Sequence, residues 1–329
     1  MSRTERCTIS RVRTAAPQEW DAIWRGCAHA TYFHSRDWAE IWETYSQGAV
    51  RPDPRVIEFS DGTRALLPLS VDHRGAAPRH LSSPAGTFGG WLSPDTLDER
   101  HAGLIVDFLT RKLGSVAWRV NPHHEQEVRA APHSEDPDHT RALCLEPGYE
   151  AVVKSWSKGH RAAVGQARRA GVSIATAEAP HEWQLYYEVY EESLRRWGDG
   201  ASSRYELTLF DAIRERSPTH ATLWLARHRG EIAAGALVFY AGTHAVYWHG
   251  AAREEEFQAR PVNLLLAEAI EDACQRGYRI FDFNPSGGHE SVDAFKRRFG
   301  TEALPAPMIR VEPRSWARGL AARVGRLWR

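Results

Sequence analysis

Only four of the chain's 42 basic residues are lysines: Lys112, Lys154, Lys158 and Lys296. The plain reading is GC-rich codon usage, which favours arginine throughout. Each remaining lysine is then a candidate for work that needs a compact ammonium instead of a planar fork. Lys296 stands in AFKRRFG, between Phe295 and Phe299. An ammonium held beside a reacting carbonyl would stabilise the oxyanion of a tetrahedral intermediate. The plain alternative is a surface lysine in a cluster with Arg297 and Arg298. Asp282 alternates with Phe281 and Phe283, so on a strand it faces away from both. His249 shares one face of HAVYWHGA with Tyr247. Asp282 or His249 could take a proton from an incoming ammonium, and either could equally be a buried, hydrogen-bonded polar side chain.

A second group of candidates is basic. Lys154, Lys158 and Arg161 share a helical face, with His160, Arg168 and Arg169 nearby. Such a face fits phosphates, and it fits a solvated helix equally well. Trp38, Trp91, Trp197 and Trp248 could line a pocket or stack on a base, although most of the 13 tryptophans must be core. The loop carrying His123, His124, His133 and His139 has neither helical nor strand spacing and is rich in Pro, Asp and Glu, so it is expected to be solvated; no metal is expected. GxSxG, P-loop and paired Cys/His signatures do not occur, which argues against nucleophilic hydrolases and NTPases.

The elements that must position these residues are written twice. RVIEF, a turn at Asp61-Gly62 and TRALLPLSV predict a hairpin, followed by a strand near TFGGWL, the helix LDERHAGLIVDFLTRKLG and the strand VAWRV before Asn121-Pro122. The second half repeats the order: ATLWLAR, a turn at Arg229-Gly230, IAAGALVFY, HAVYWHGA, the helix PVNLLLAEAIEDACQRG with Pro261 at its first position, then RIFDF before Asn284-Pro285. Gly114 and Asn121 map onto Gly277 and Asn284 with one offset of 163 residues. Helices precede each copy: PQEWDAIWRGC and SRDWAEIWETYS in the first, HEWQLYYEVYEESLRRWG in the second. The order β-β-β-α-β within an α+β layer is that of the GNAT acyltransferase fold, here in tandem. The expected divisions are residues 1–145, residues 146–312, and a basic tail helix at 313–329 that docks on the body, clamps tRNA or touches a membrane surface.

Three strings, YFHSRDWAEIW (32–42), SWSKGHRAAVGQARRAGVSI (155–174) and FDFNPSGGHESVDAFKRRFG (281–300), together with the repeat, resemble the FemABX family of tandem-GNAT transferases and the CelD-type acetyltransferase-like proteins. The third string is similar to the family pattern xDFGxSxxxxxxxxFKxxFG, with Asn284 where the family often has glycine. The resemblance implies transfer of an acyl group to an amine, with Lys296 at the active centre. Lys158, Arg161, Trp38, Trp248, Asn284 and Ser286 are then expected substrate contacts, and Lys154, Arg168, Arg169, Arg297 and Arg298 tRNA or phosphate contacts. Fem enzymes use aminoacyl-tRNA and ordinary GNAT enzymes acyl-CoA. A CoA-type pyrophosphate cradle needs glycines and free N–H groups at a helix start. The corresponding stretch is Gln258-Ala-Arg-Pro-Val-Asn263, where Pro261 lacks an N–H and Asn263 replaces a glycine.

Composition sets the outer bounds. A chain of 329 residues with 42% apolar content suits two domains. Net charge is zero, so any nucleic-acid contact must be a local patch. The four cysteines form no CxxC pair, which excludes a disulfide framework and a cysteine-type zinc site and fits a reducing compartment. The start has no apolar h-region, and the apolar tract 232–252 breaks at AGTH, so neither a signal peptide nor a membrane span is expected. The expectation is a cytoplasmic aminoacyltransferase, without cofactor, that moves an aminoacyl group from charged tRNA to an amine acceptor. The alternatives are an acyl-CoA-dependent N-acyltransferase and a GNAT pair that only binds ligands.

Overall fold

The computed structural model describes residues 7–201 and 203–312; the expected tail helix at 313–329 lies outside them. Strand β1 (Ile9–Thr14) leads to α1 (Pro17–Gly26), which starts on Pro17 and buries Trp20 and Ile23. Helix α2 (Arg36–Tyr45) is capped by Ser35, whose side chain accepts from the Trp38 N–H, and buries Trp38, Ile41 and Trp42. The predicted hairpin forms as β2 (Val50–Pro52) and β3 (Arg55–Phe59) against β4 (Arg64–Leu67) and β5 (Ser70–Asp72). Pro52, Pro54 and Pro68 cannot donate to a ladder. The hairpin breaks there, so β3 and β4 join β1 in a three-stranded sheet while β2 and β5 join a five-stranded one. The next strand is β6 (Arg79–Leu81), not TFGGWL. Residues 87–92 form a loop with one bridge, Leu66 to Leu92, because Gly89 and Gly90 lie too close to Ser82 and Glu127 for any Cβ, and Gly90 has φ +103°. Helix α3 (Glu99–Arg111), capped by Asp98, crosses to β7 (Val116–Arg119), which pairs parallel with β6. A short α4 (Glu125–Ala130) and β8 (His139–Cys144) follow.

The second half opens with α5 (Tyr149–Ser155), α6 (Lys158–Arg169), β9 (Ser173–Thr176), α7 (Pro180–Trp197) and α8 (Leu207–Arg216). Strands β10 (Ala221–His228), β11 (Glu231–Ala241) and β12 (His244–Ala252) form an antiparallel meander. Helix α9 (Pro261–Gln275) crosses to β13 (Ile280–Asp282), again parallel to the strand before the helix. Helix α10 (Glu290–Arg297), β14 (Glu302–Pro305) and β15 (Met308–Val311) complete the described chain. Alternation along β11 sorts the two cores. Ala234, Ala236 and Val238 pack with α9 and Phe281, whereas Leu237 and Phe239 pack with α7 and with Tyr32, Phe33 and Trp38 of the first half.

Thus β6-α3-β7 and β12-α9-β13 are the same unit, and VAWRV and RIFDF occupy equivalent strands. Sheet membership crosses the expected division at residue 145. Strand β8 pairs with β13 and β14 in the seven-stranded sheet, and β15 returns to pair with β7 in the five-stranded sheet. Each half therefore completes the other's sheet.

Candidate active site

The chain leaves β13 into a cleft of about 530 Å³. Its walls come from the loop Asn284–Ser286, from Tyr247, Trp248 and His249 on β12, from Tyr190 and Tyr205, and from Gly86 and Arg119 of the first half. Lys296 lies on its wall and is only 4% exposed. The surrounding motif explains its position. Phe299 packs on Trp156, His160 and Phe283, and Phe295 packs on His160, so α10 and the turn after it are clamped by these two phenylalanines while Lys296 turns toward the loop. Its Nζ donates to the carbonyls of Asn284 at 2.7 Å and Pro285 at 3.2 Å. An ammonium has three donors, which leaves one for a ligand. Burial pulls this lysine down to about 8, against the opposing pull of Asp282 and Asp293.

Asn284 adopts φ +59°, a left-handed conformation that asparagine tolerates, so its presence where the family often has glycine keeps the turn. Its N–H donates to Asp282 Oδ1 at 2.6 Å, while its own Oδ1 is buried without a partner. Ser286 also lines the cleft. Asp282 differs from expectation: it is fully buried, accepts from Thr140 Oγ1 at 2.6 Å and faces His123 Nε2 at 2.8 Å, so it supports the loop and does not line the cleft. His249 does face the cleft, but its Nδ1 is bonded to Tyr186 Oη at 2.7 Å and burial lowers it to about 3, which makes it a poor proton acceptor.

Other expectations are redistributed. Trp248 lines the cleft and stacks on Tyr205, with ring centroids 5.3 Å apart. Trp38 does not line it; the ring is fully buried beneath Trp248 and donates to Thr87 Oγ1, because α2 packs its apolar face there. Arg161 is not a free cation: its guanidinium donates to the carbonyls of Lys154 and Trp156, capping the end of α5. Arg168 pairs with Glu268 at 2.9 Å. Lys154, Lys158, Arg169, Arg297 and Arg298 are exposed and lie outside the cleft wall. The histidine loop also differs from expectation. His133 is exposed and His139 pairs with Asp293, but His123 is buried against Asp282, and His124 stacks on His29 at 3.7 Å. Desolvation lowers His29 and His124 to about 4. Sequence reading put His123 in a solvated loop and passed over Arg119 and Glu127, although His123 follows Pro122 as Ser286 follows Pro285, a parallel within the repeat that marked the position. Among the described residues Cys7, Asp61 and His101 hold three metal-type ligand atoms within 4.8 Å of one another; none of them lines the cleft.

The start of α9, where a GNAT enzyme would cradle a pyrophosphate, is largely closed by internal bonds. Arg260, at φ +57°, donates its N–H to Phe257 O, Pro261 has none, and the Asn263 N–H donates to Arg260 O. Helix α6 lies against this turn through Gln166 to Gln258 O and Asn263 Nδ2 to the His160 ring. A cavity of about 310 Å³ remains beside it, lined by Arg260 and Arg298.

Residues 155–297 match the family model of the acetyltransferase (GNAT) domain. No curated protein matches in sequence. The fold is similar to the crystal structure of FemX, at 14% identity and a TM-score of 0.68, over 94% of this chain and 99% of that one. It is also similar to L-PGS from Bacillus licheniformis, at 12% identity and TM-score 0.56 over 94% and 96%. A tandem GNAT protein from the clavulanic acid biosynthesis pathway, solved without acetyl-CoA, aligns at 14% identity and TM-score 0.51 over 92% and 99%. Residues 155–297 thus carry the signature of a GNAT acetyltransferase domain, and the chain around them has the fold of paired GNAT-like units. The likeness to the FemABX and tandem-GNAT proteins extends from three short strings to the architecture of the described chain.

Proposed function

We propose that the protein is an aminoacyl-tRNA-dependent aminoacyltransferase that forms an amide bond on an amine acceptor, either a small specialised-metabolite amine or a peptidoglycan precursor. The observation that carries this reading is the start of α9, where Pro261 has no N–H and those of Arg260 and Asn263 are already bonded, which leaves too few donors for a pyrophosphate cradle. An aminoacyl ester is already activated, so the reaction needs no metal or covalent enzyme intermediate. The acceptor nitrogen attacks the ester carbonyl, the C–N bond forms, and the oxyanion develops beside the free N–H of Lys296. Collapse breaks the C–O bond to the terminal ribose, whose oxygen leaves with a proton, while the surplus amine proton passes to water. Asn284 and Ser286 line the cleft where the amine would sit, and the Trp248–Tyr205 stack offers a flat wall for the aminoacyl side chain or the terminal adenine. The partners are then a charged tRNA end, met by the exposed basic residues of α5, α6 and α10, and the amine. The compartment is the cytoplasm, where tRNA is charged. Among the described residues no helix is long and apolar enough to cross a membrane.

The test is transfer in a reconstituted mixture of labelled amino acids, tRNA, ATP, synthetases and a panel of amines. RNase should abolish product formation. The second reading, acyl-CoA as donor, draws on the cavity lined by Arg260 and Arg298, and RNase-resistant transfer with low-micromolar acetyl-CoA binding by calorimetry would establish it instead.

A further inference from the structure

The Lys296 cage is built from both halves of the chain. Asn284 and Pro285, whose carbonyls hold Nζ, follow directly on Asp282. One oxygen of that carboxylate fixes the Asn284 N–H and Thr140. The other faces His123 Nε2 at 2.8 Å, from the loop after β7 in the first half. The His123 side chain is 2% exposed and the Asp282 side chain 0%. The imidazole is fixed in turn, edge-on to Phe88 and tilted against His244 at 4.6 Å, and its backbone N–H donates to Asn121 Oδ1. A carboxylate so fully desolvated needs every donor it has.

We propose that His123 is a positioning residue for the active site: by donating Nε2–H to Asp282, the first half sets the loop that cages the Lys296 ammonium. The proposal rests on the cleft being the site of acyl transfer. It makes the site incomplete in the second half alone, although Lys296, Asn284 and Asp282 all belong to that half. The other charged groups around Lys296 are Asp293, Asp138 and Arg141, and they have partners of their own. Arg141 holds Asp293, and Arg119 holds Asp138. Replacing His123 therefore acts on the cage through Asp282.

Lysine scarcity supplies a direct readout, because isotope-labelled lysine gives only four side-chain signals in the full chain. Lys296→Arg assigns the Lys296 signal. In the native chain it should titrate near pH 8. His123→Leu should free the loop, let the ammonium reach water and raise that midpoint by at least one pH unit. His123→Gln, whose Nε2 reaches the same point, should keep it. An unmoved midpoint in folded His123→Leu overturns the proposal. If that variant does not fold, the imidazole nitrogen spectrum of the native chain decides: a proton on Nε2 of His123 supports the proposal, and a proton on Nδ1 with bare Nε2 overturns it. A native Lys296 signal that titrates as a fully hydrated ammonium shows that there is no cage and overturns this proposal, whereas the reading of the cleft as the site of transfer stands or falls with the rate of Lys296→Ala.

Discussion

At the scale of single residues, two groups sit in the wrong medium for their charge. Lys296 is held near 8 by burial, so the oxyanion partner is present below that pH and lost above it. The single-turnover rate of transfer should therefore show a falling limb centred near pH 8. Lys296→Arg, which stays charged, should remove that limb while restoring only part of the rate, since its fork places charge elsewhere. Glu127 is the second. It is fully buried, accepts from Trp118 Nε1 and the Asn121 N–H, and is raised by desolvation to about 8. A raised acid stabilises the fold below its unfolded value, and that contribution fades as pH climbs toward 8, by at most about 1.4 kcal/mol per unit. Glu127→Gln, which keeps an acceptor and carries no charge, should melt near or below the native chain at pH 5 and above it at pH 8.5, as thermal denaturation at the two values would show. Lys296 was legible as chemistry because lysine is rare here and its motif is specific. Its cage was not, because backbone carbonyls carry no sequence signature. Asp282 was legible as functional but misplaced: alternation gave its face and could not give its burial.

At the scale of elements, α10 depends on Phe295 within it and on Phe299 in the turn that follows. Phe299 is fully buried against Phe283, Trp156 and His160. Phe299→Ala should cost roughly 3–5 kcal/mol and disorder the Lys296 cage, which denaturant melts and the Lys296 signal would report together. The meander β10–β12, the helices α3, α7 and α9, and the strands β7 and β13 were readable because turn residues, caps and apolar periods agree there. The expected strand at TFGGWL failed for a tertiary reason. Gly89 and Gly90 let the backbone press on Ser82 and Glu127, and close approach of that kind looks in sequence like any glycine pair in a strand. The basic helix face failed similarly at Arg161, whose best partners are the carbonyl ends of its neighbour α5.

At the scale of the whole molecule, the two halves are joined by exchange of strands and by a shared core. Tyr32 stacks on Phe239 at 4.5 Å, and β8 and β15 each finish the sheet of the other half. The repeat announced two copies but not this exchange, because a strand's own pattern does not say which sheet it will join. Residues 1–145 expressed alone should lack a cooperative thermal transition, with β8 unpaired and β7 left as an edge; co-expression with the remainder should restore one.

The central claim, amide formation from a tRNA ester beside Lys296, is tested most directly by single-turnover transfer from preformed aminoacyl-tRNA with the acceptor amine saturating. Lys296→Ala should slow transfer about 100- to 1000-fold, the loss of roughly 3–4 kcal/mol expected for one oxyanion-stabilising group, with tRNA affinity nearly unchanged. A Lys296→Ala protein that transfers at close to the native rate would contradict the account.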